Sequence, residues 1–317
     1  MPYPSVFPAP FVVNPVLTAI AISYENAKLI ADAVLPRVPV ATPQFIYSVF
    51  NKADSFTIPD TKVGRKSVVN QVDYAVTQTP AGVTDHALEE VVPQMDKAIA
   101  QAYGNMIDPE AIATEQVSDL LALDREQRAS NLIFNANSYA TANKATLSGT
   151  GQWSDFTNSD PLTAILTAMD GMLVRPNQLV LGRPVATKLQ THPKIVQAFH
   201  GNNGAYGLAP LEFIASMLGL DEVIVGESWF NTAKKGQTIN TARLWGKHAA
   251  LLYKSPVSIS TNSMSFGVTA QWGDRLTATY QEPKIGLRGS TVVRVGESVQ
   301  ELVLANDLGY FFQNAVA

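Results

Sequence analysis

The chain has 317 residues, of which 46% are hydrophobic and 16% are charged, so it can bury a sizeable core but carries fewer charges than the usual quarter. Its net charge of -4 argues against an electrostatic grip on nucleic acid, which needs clustered Lys and Arg. The absence of cysteine excludes disulfides and thiolate chemistry, and no apolar run reaches membrane-spanning length. A surface with so few charges indicates that much of it is covered in the functional state.

The first 24 residues contain no charged side chain and are rich in proline. Prolines at this density forbid a regular helix, and the segment has neither the basic start of a signal peptide nor the polarity of a disordered tail. Its apolar side chains include Tyr3, Phe7 and Phe11. We expect an extended arm whose backbone is satisfied by another surface, either its own domain or a neighbouring copy, and we favour the neighbour.

A short amphipathic helix is predicted for 25–35, followed by a strand at 37–40 and then by a long hairpin. Alternating side chains from 44 to 49 and again from 68 to 76 predict the two hairpin strands. Between them lies a polar tip, 60–66, that contains Lys62, Arg65 and Lys66. Such a cluster of bases is by default a solvated loop, but an isolated two-stranded hairpin is marginal in water and needs a surface to lie on.

The longest predicted helix runs from Asp108 to about Tyr139. Asp108 is suited to cap it, Pro109 suits the first helical position, and Glu110 suits the positive end of the helix dipole. At ~1.5 Å per residue, a helix of this length spans about 45 Å, which exceeds the width of a typical domain. We interpret it as the spine of the fold, although a long core helix of an ordinary enzyme would show the same pattern.

Alternating helices and strands from 160 to 226 predict an α/β lobe. A helix begins at Asp160, a buried strand follows at 178–182, further helices are expected at 184–189 and 210–218, and a second buried strand at 222–226. A polar, glycine-rich loop extends from His200 to Gly207. Later in the chain, alternation from Met264 to Trp272 predicts a strand with one buried face.

No complete catalytic or ligand-binding motif is present. The glycines at 201, 204 and 207 lack the Lys-Ser/Thr pair of a phosphate loop, no G-x-S-x-G elbow occurs, and no two histidines stand at helical ligand spacing. The carboxylate pairs at 89–90 and 221–222 have no partner motif and are interpreted as solvated surface. The sequence therefore predicts no catalytic residue, no cofactor and no metal site.

Four stretches of the sequence are more specific than the order of the predicted elements. They are Ile30–Val40, Asp124–Asn137, Trp245–Tyr253 and Asp307–Tyr310. With the apolar arm, the basic-tipped hairpin, the spine helix and the α/β lobe, they resemble the major capsid proteins of tailed bacteriophages. The resemblance covers nearly the whole chain. It implies an α+β fold of the Hong Kong 97-like type, with an N-terminal arm, an extension-loop β-hairpin, a peripheral domain with a long spine helix, and an α/β axial domain.

The resemblance also implies a division of the chain. It places the N-terminal arm at 1–38, the extension loop at 39–80, the peripheral domain with the spine helix at 81–157, the axial domain at 158–255, peripheral-domain strands at 256–296, and the return to the axial domain at 297–317. We expect contacts between subunits at Tyr3, Phe7, Phe11, Lys62, Arg65 and Lys66. We expect the loop at the capsomer axis to contain His200, Gly201, Asn202, Asn203, Gly204 and Gly207.

The prediction is a non-enzymatic shell subunit that forms hexamers and pentamers of an icosahedral phage head enclosing double-stranded DNA, assembled in the host cytoplasm and present in the virion. Expected partners are further copies, portal, scaffolding and decoration proteins, and packaged DNA through weak non-specific contact, with no membrane. A built-in helical scaffold is absent before the arm, and covalent crosslinking is not expected. The alternatives are an encapsulin-like compartment that holds an enzyme cargo, and a hydrolase without a recognisable motif.

Overall fold

A computed structural model describes residues 12–13, 16–18, 29–50, 58–71, 76–102, 108–201, 206–234, 236–255 and 265–317. These residues form an α+β structure. The described helices of at least one full turn are α1 Ala31–Val34, α2 Gln94–Ala102, α3 Pro109–Ile133, α4 Pro161–Gly171, α5 Arg183–Gln190, α6 Pro193–His200 and α7 Leu211–Leu218. The described strands are β1 Val12–Val13, β2 Arg37–Pro39, β3 Gln44–Phe50, β4 Val76–Gly82, β5 Thr84–Pro93, β6 Lys144–Thr146, β7 Gln178–Gly182, β8 Glu222–Gly226, β9 Trp229–Asn231, β10 Thr241–Arg243, β11 Ala249–Leu252, β12 Gly267–Glu282, β13 Ser290–Val303 and β14 Gly309–Gln313.

The first large sheet is built on the long antiparallel pair β12 and β13, which have 16 and 14 residues. β5 pairs with the outer side of β13, while β1 pairs antiparallel and β2 pairs parallel with β12. The spine helix α3 lies on this sheet, where Val117 and Leu121 pack with Val293 and Val295. We call this sheet with α2 and α3 the peripheral unit.

The second large sheet has the order β6-β14-β11-β7-β8 and contains the largest apolar core. Every residue of β7 and β11 is buried, because helices and the remaining strands cover them. Asp160 caps α4 by accepting a hydrogen bond from the Thr163 N–H at 3.1 Å, as the sequence predicts. We call this sheet with α4 to α7 the axial lobe.

The spine helix is shorter than predicted, since it ends at Ile133 after 25 residues rather than near Tyr139. At ~1.5 Å per residue its length is about 37 Å. The Tyr139 hydroxyl donates to the Ile133 carbonyl at 2.7 Å, which satisfies one of the free carbonyls at the helix end. The chain turns there because the Tyr139 ring is buried between Phe266 and Phe311, with centroids 4.9 and 5.3 Å away.

The hairpin also differs from its prediction. β3 pairs with β4 from Gln44 opposite Gly82 to Phe50 opposite Val76, so the described return strand begins later than position 68. Val68 and Val69 lie in an exposed loop, whereas 72–75 fall outside the described residues. The register is set by the partner strand, which a pattern within one strand does not reveal.

Two further expectations are corrected in part. The helix expected at 25–35 is described only as α1, and 25–28 lie outside the described residues. The first four residues of β12 are buried on both faces rather than one. β6 pairs with β14, and β13 spans position 296, while the division of the chain into domains stays a prediction.

Candidate subunit-contact sites and the buried junction

A buried carboxylate joins three parts of the subunit. Glu126, in the C-terminal half of the spine helix, is fully buried and accepts hydrogen bonds from the backbone N–H groups of Ile30, at 3.0 Å, and Ala31, at 2.7 Å. The indole N–H of Trp245 donates to the same carboxylate at 2.5 Å. Burial raises the pKa of the Glu126 carboxyl, although these donors oppose the shift. The carboxylate thus ties the start of α1 and the axial lobe to the spine.

The preceding residue of the spine holds the opposite end of α1. Arg125 donates to Asp32 at 2.5 Å, to the Leu35 carbonyl at 3.4 Å and to the Thr269 hydroxyl at 3.1 Å. Burial alone would raise the pKa of Asp32, but Arg125 and Arg37 outweigh it and hold that pKa below its usual value. Glu126 thus accepts from free N–H groups at the start of α1, and Arg125 donates to a free carbonyl just after its end.

A second buried carboxylate extends this network to the long strands. Glu297 on β13 accepts from Arg37 at 2.9 Å and from Arg275 at 3.1 Å. Burial would raise the pKa of Glu297, but the two guanidinium groups, with a contribution from Arg125, keep it lowered. We call Asp32, Arg37, Arg125, Glu126, Trp245 and Glu297 the junction. Because its carboxylates are already occupied by donors, the junction holds chain segments together rather than binding a ligand.

The four stretches that carry the sequence resemblance meet at this place. Trp245 and Leu308 lie in one buried apolar cluster with residues of α1 and with Ile133 at the end of the spine. The Tyr253 N–H donates to the Leu308 carbonyl at 2.9 Å, which fastens two of the stretches to each other. Sequence reasoning singled out these stretches but did not assign their contacts.

The hairpin tip is placed as the sequence predicts. Lys62, Arg65 and Lys66 are exposed, and none of them forms an ion pair with the residues that the structure describes. Asp60 instead accepts from the Lys62 backbone N–H at 3.0 Å, and the Asn70 side chain donates to the Asp60 carbonyl at 2.8 Å, which shapes the loop. Contact of these three bases with another subunit stays a prediction.

The described part of the N-terminal arm lies on its own subunit. Val12 and Val13 pair antiparallel with Thr279 and Ala278 of β12, and Leu17 is buried. For these residues the favoured contact with a neighbour is wrong, because the edge of β12 supplies hydrogen-bond partners within the same chain. The three arm residues expected at a subunit contact, Tyr3, Phe7 and Phe11, lie outside the described residues.

The glycine-rich loop of the axial lobe is described only at its two ends. His200 ends α6, Gly201 has φ 64° and Gly207 has φ 149°, whereas Asn202, Asn203 and Gly204 lie outside the described residues. A side chain at Gly207 would approach the His200 ring to 3.0 Å, so the two ends pack closely. The neighbouring Tyr206 is almost fully exposed.

Two other kinds of site are absent from the described ranges, a metal site and a membrane-spanning helix. No group of His, Asp and Glu side chains there is arranged to hold a metal ion. Burial lowers the pKa of His192 and of His248, and each ring accepts a backbone hydrogen bond, from Lys194 at 3.3 Å and from Asn314 at 3.0 Å. None of the described helices combines the length and hydropathy that a membrane span requires.

Solved structures establish the fold. A phage-related protein of Bordetella bronchiseptica RB50 has a TM-score of 0.74 at 23% identity, with 97% of this chain and 98% of that chain covered. The capsid of cyanophage P-SCSP1u has a TM-score of 0.61 at 12% identity, with 92% and 89% covered. The fold is the Hong Kong 97-like capsid fold.

The sequence comparison establishes the family. The chain is 50% identical over 309 residues to the major capsid protein of Pseudomonas phage JBD67. The matched region covers 98% of this chain and 99% of the relative. No family model matches the chain. At this identity and coverage, the chain belongs to the family of phage major capsid proteins.

Proposed function

We propose that copies of this chain assemble into hexamers and pentamers that close an icosahedral head around double-stranded DNA. The proposal is supported by 50% identity to a phage major capsid protein over 98% of this chain. Electron microscopy of the purified protein tests it, and the expected result is closed shells of uniform size. Only monomers and small oligomers, at concentrations and salt conditions that span those of a cell, would count against it.

The extension-loop tip would bind the spine helix of a neighbouring copy. From 98 to 124 the chain has no Lys or Arg, whereas Glu115 lies exposed on the outer side of the spine. The three tip bases complement this acidic surface. Exposed ion pairs are worth only about 0.2–1 kcal/mol each, but repetition over many copies makes their sum significant in a shell.

A charge exchange tests the pairing. Reversing Lys62, Arg65 and Lys66 to Glu should reduce shell yield and make it less sensitive to added salt. Adding Glu115→Lys to the reversed tip should restore part of the yield, whereas adding Asp170→Lys, an exposed acid of the axial lobe, should not. Equal rescue by both changes would show that only net charge matters.

The remaining part of the arm would act as a clamp between subunits. Deletion of 1–11 removes Tyr3, Phe7 and Phe11 but leaves β1 on its own sheet. We expect this truncated chain to stay folded by circular dichroism and to form few stable shells. Normal shells would refute the clamp. Deletion of 1–20 should in addition destabilise the isolated subunit, because Leu17 is buried in it.

The loop from His200 to Gly207 would lie at the axis of each capsomer. Glycines at 201 and 207 adopt positive φ angles, which only glycine adopts without strain, and this freedom helps one sequence form rings of two sizes. A structure of the assembled shell tests the placement. Finding these residues far from every ring axis, or holding a phosphate, would refute it.

The chain would act without catalysis as a component of the virion, after assembly in the host cytoplasm. Its partners would be its own copies, together with scaffolding, portal and decoration proteins, and packaged DNA through weak contacts. Covalent crosslinks between subunits are not expected, and denaturing electrophoresis of shells should give a single monomer band. Shells that copurify with an enzyme cargo and no DNA would favour the encapsulin-like alternative.

A further inference from the structure

A small two-stranded sheet, β9 with β10, follows the edge strand β8 of the axial lobe. Within the described part of the chain, these two strands pair only with each other. Their base is fastened to the spine helix, because the Ser130 hydroxyl donates to the Leu244 carbonyl at 2.9 Å. Lys234 lies on the connection between the two strands, and Lys247 lies shortly after β10. We call β9, β10, Lys234 and Lys247 together the axial ribbon.

The part of the chain that contains the axial ribbon concentrates positive charge. From 228 to 273 the sequence has five Lys and Arg residues and no Asp or Glu, although the net charge of the whole chain is -4. The acid that precedes this part, Glu227, is already paired with Arg183 at 2.9 Å. The overall charge therefore conceals a local excess of bases.

The bases of the axial ribbon differ from other bases of the axial lobe in having no acidic partner. Three other bases of the lobe pair with acids, in the pairs Arg175 with Asp170, Lys194 with Asp160, and Lys254 with Glu222. Among the residues that the structure describes, no carboxylate pairs with Lys234, Arg243 or Lys247, and both lysines are exposed. Their charge is thus uncompensated within the described subunit.

An exposed tryptophan holds one of these bases in place. The Arg243 guanidinium lies over the Trp229 ring, 4.3 Å from its centroid, and it donates to the Glu227 carbonyl at 3.4 Å. Stacking on the ring fixes the plane of the guanidinium and leaves further N–H groups free to donate. A planar guanidinium suits the paired oxygens of a phosphate group.

We propose that the axial ribbon binds the phosphate backbone of packaged double-stranded DNA. The proposal rests on the proposed shell function and assigns a place to its DNA contact. Duplex DNA has one negative charge per about 1.7 Å of its axis, so one duplex can meet all three bases at once. A shell that encloses a genome keeps DNA at a high local concentration, and a weak site is then occupied.

Titration of a labelled duplex with the purified full-length protein, kept below the concentration at which shells form, tests the site. Fluorescence anisotropy should show weak binding that does not depend on the base sequence. Neutralisation of three phosphates predicts that the affinity falls about 40-fold between 50 and 200 mM salt. Changing Lys234, Arg243 and Lys247 to Gln should weaken binding at low salt at least about tenfold.

A matched control removes the same charge elsewhere. Lys62→Gln, Arg65→Gln and Lys66→Gln together neutralise the exposed tip of the extension loop, and this variant should lose less than about twofold in affinity. If the loss of the Arg243 stack alters the fold by circular dichroism, Lys234→Gln with Lys247→Gln replaces the triple variant, and it should still weaken binding more than the tip variant does.

Three outcomes of the titration would overturn the assignment. Absence of binding by the unaltered protein at 50 mM salt would exclude the site. Equal losses in the ribbon and tip variants would show that only net charge matters. Displacement of the duplex by polyglutamate at a lower charge concentration than by unlabelled duplex would identify an acidic protein surface as the partner.

Electron microscopy of filled heads tests the same contact in the assembled state. Density of the outermost DNA layer should reach Lys234 and Arg243. An axial ribbon on the outer surface of the head, or covered by a neighbouring subunit, would refute the contact while the proposed shell function stood. If the unaltered protein formed no shells at all, the shell function itself would fail, and the duplex titration would still decide whether the ribbon binds DNA.

Discussion

The junction and the extension-loop hairpin show opposite ways of using the same chain. At the junction, backbone N–H groups, guanidinium groups and carboxylates from distant segments satisfy one another inside the subunit. The hairpin forms a two-stranded sheet of its own, and its loop exposes the apolar side chains of Ile58, Val68 and Val69. The difference indicates which surfaces are complete in a single subunit and which need another copy.

The same comparison divides the apolar surface of the chain into two kinds. Apolar area that the junction region buries contributes to folding of the subunit, at roughly 25 cal/mol per Å². Exposed apolar area on the hairpin loop contributes to stability only when a partner covers it. Substitutions should therefore separate into those that unfold the subunit and those that prevent assembly.

Removing the Glu126 carboxylate should have the largest effect on the subunit. Glu126→Ala leaves the N–H groups of Ile30 and Ala31 and the indole of Trp245 buried without an acceptor, at a cost of about 3–5 kcal/mol. Urea unfolding of the isolated subunit measures the loss. The control Glu115→Ala, on the exposed side of the same helix, should change it by less than about 0.5 kcal/mol. Equal losses of stability in the two variants would show that the hydrogen bonds of Glu126 do not stabilise the subunit.

Adding a methyl group beside Trp245, in the junction, should destabilise the subunit somewhat less. A side chain at Gly226 would place its Cβ 2.1 Å from Cγ of Trp245, so Gly226→Ala should destabilise the subunit by about 1–3 kcal/mol or more. The near-ultraviolet circular dichroism of tryptophan should change with it. Gly171→Ala, where no atom lies within 4 Å of the added Cβ, should be neutral or slightly stabilising. A neutral Gly226→Ala would mean that Trp245 is free to move.

Acid should weaken the junction through Glu297. Its folded pKa is lowered from 4.5, so its contribution is present above that value and is lost as the pH falls through the lower folded pKa. The melting temperature should therefore fall as the pH drops below 4.5, and less steeply in Glu297→Gln, which starts lower. The contribution of Glu126 to the pH dependence of stability has the opposite sign, because its folded pKa is raised and its protonation favours the folded state. If the melting temperatures of the unaltered protein and of Glu297→Gln fell in parallel with pH, groups other than Glu297 would cause the acid sensitivity.

Local sequence signals predict the spine but not the junction. Asp108 and Pro109 define the helix start, and the Asp108 side chain does accept from the Glu110 N–H at 3.0 Å. The donors to Glu126, in contrast, lie 95 to 119 residues away in the chain, so no spacing rule connects them. Family resemblance located the stretches, and only the fold shows that they meet. The hairpin register escaped prediction for the same reason, since it depends on a partner strand that is distant in sequence.

The smallest effect on the subunit should come from the hairpin loop, which completes the comparison. Val68 and Val69 are 85% and 66% exposed, so Val68→Ser with Val69→Ser removes no burial and should change the unfolding free energy by less than about 0.5 kcal/mol. Val292→Ser, which alters a valine of β13 that is 2% exposed, should cost about 2–4 kcal/mol in the same assay. The loop substitutions should instead affect assembly, because the valines of the loop would be buried only against a neighbour. The loop variant should therefore give fewer shells although its subunit is fully stable. A marked loss of stability in the loop variant would instead show that the loop packs on its own subunit, and the proposed division between completed and incomplete surfaces would then be wrong.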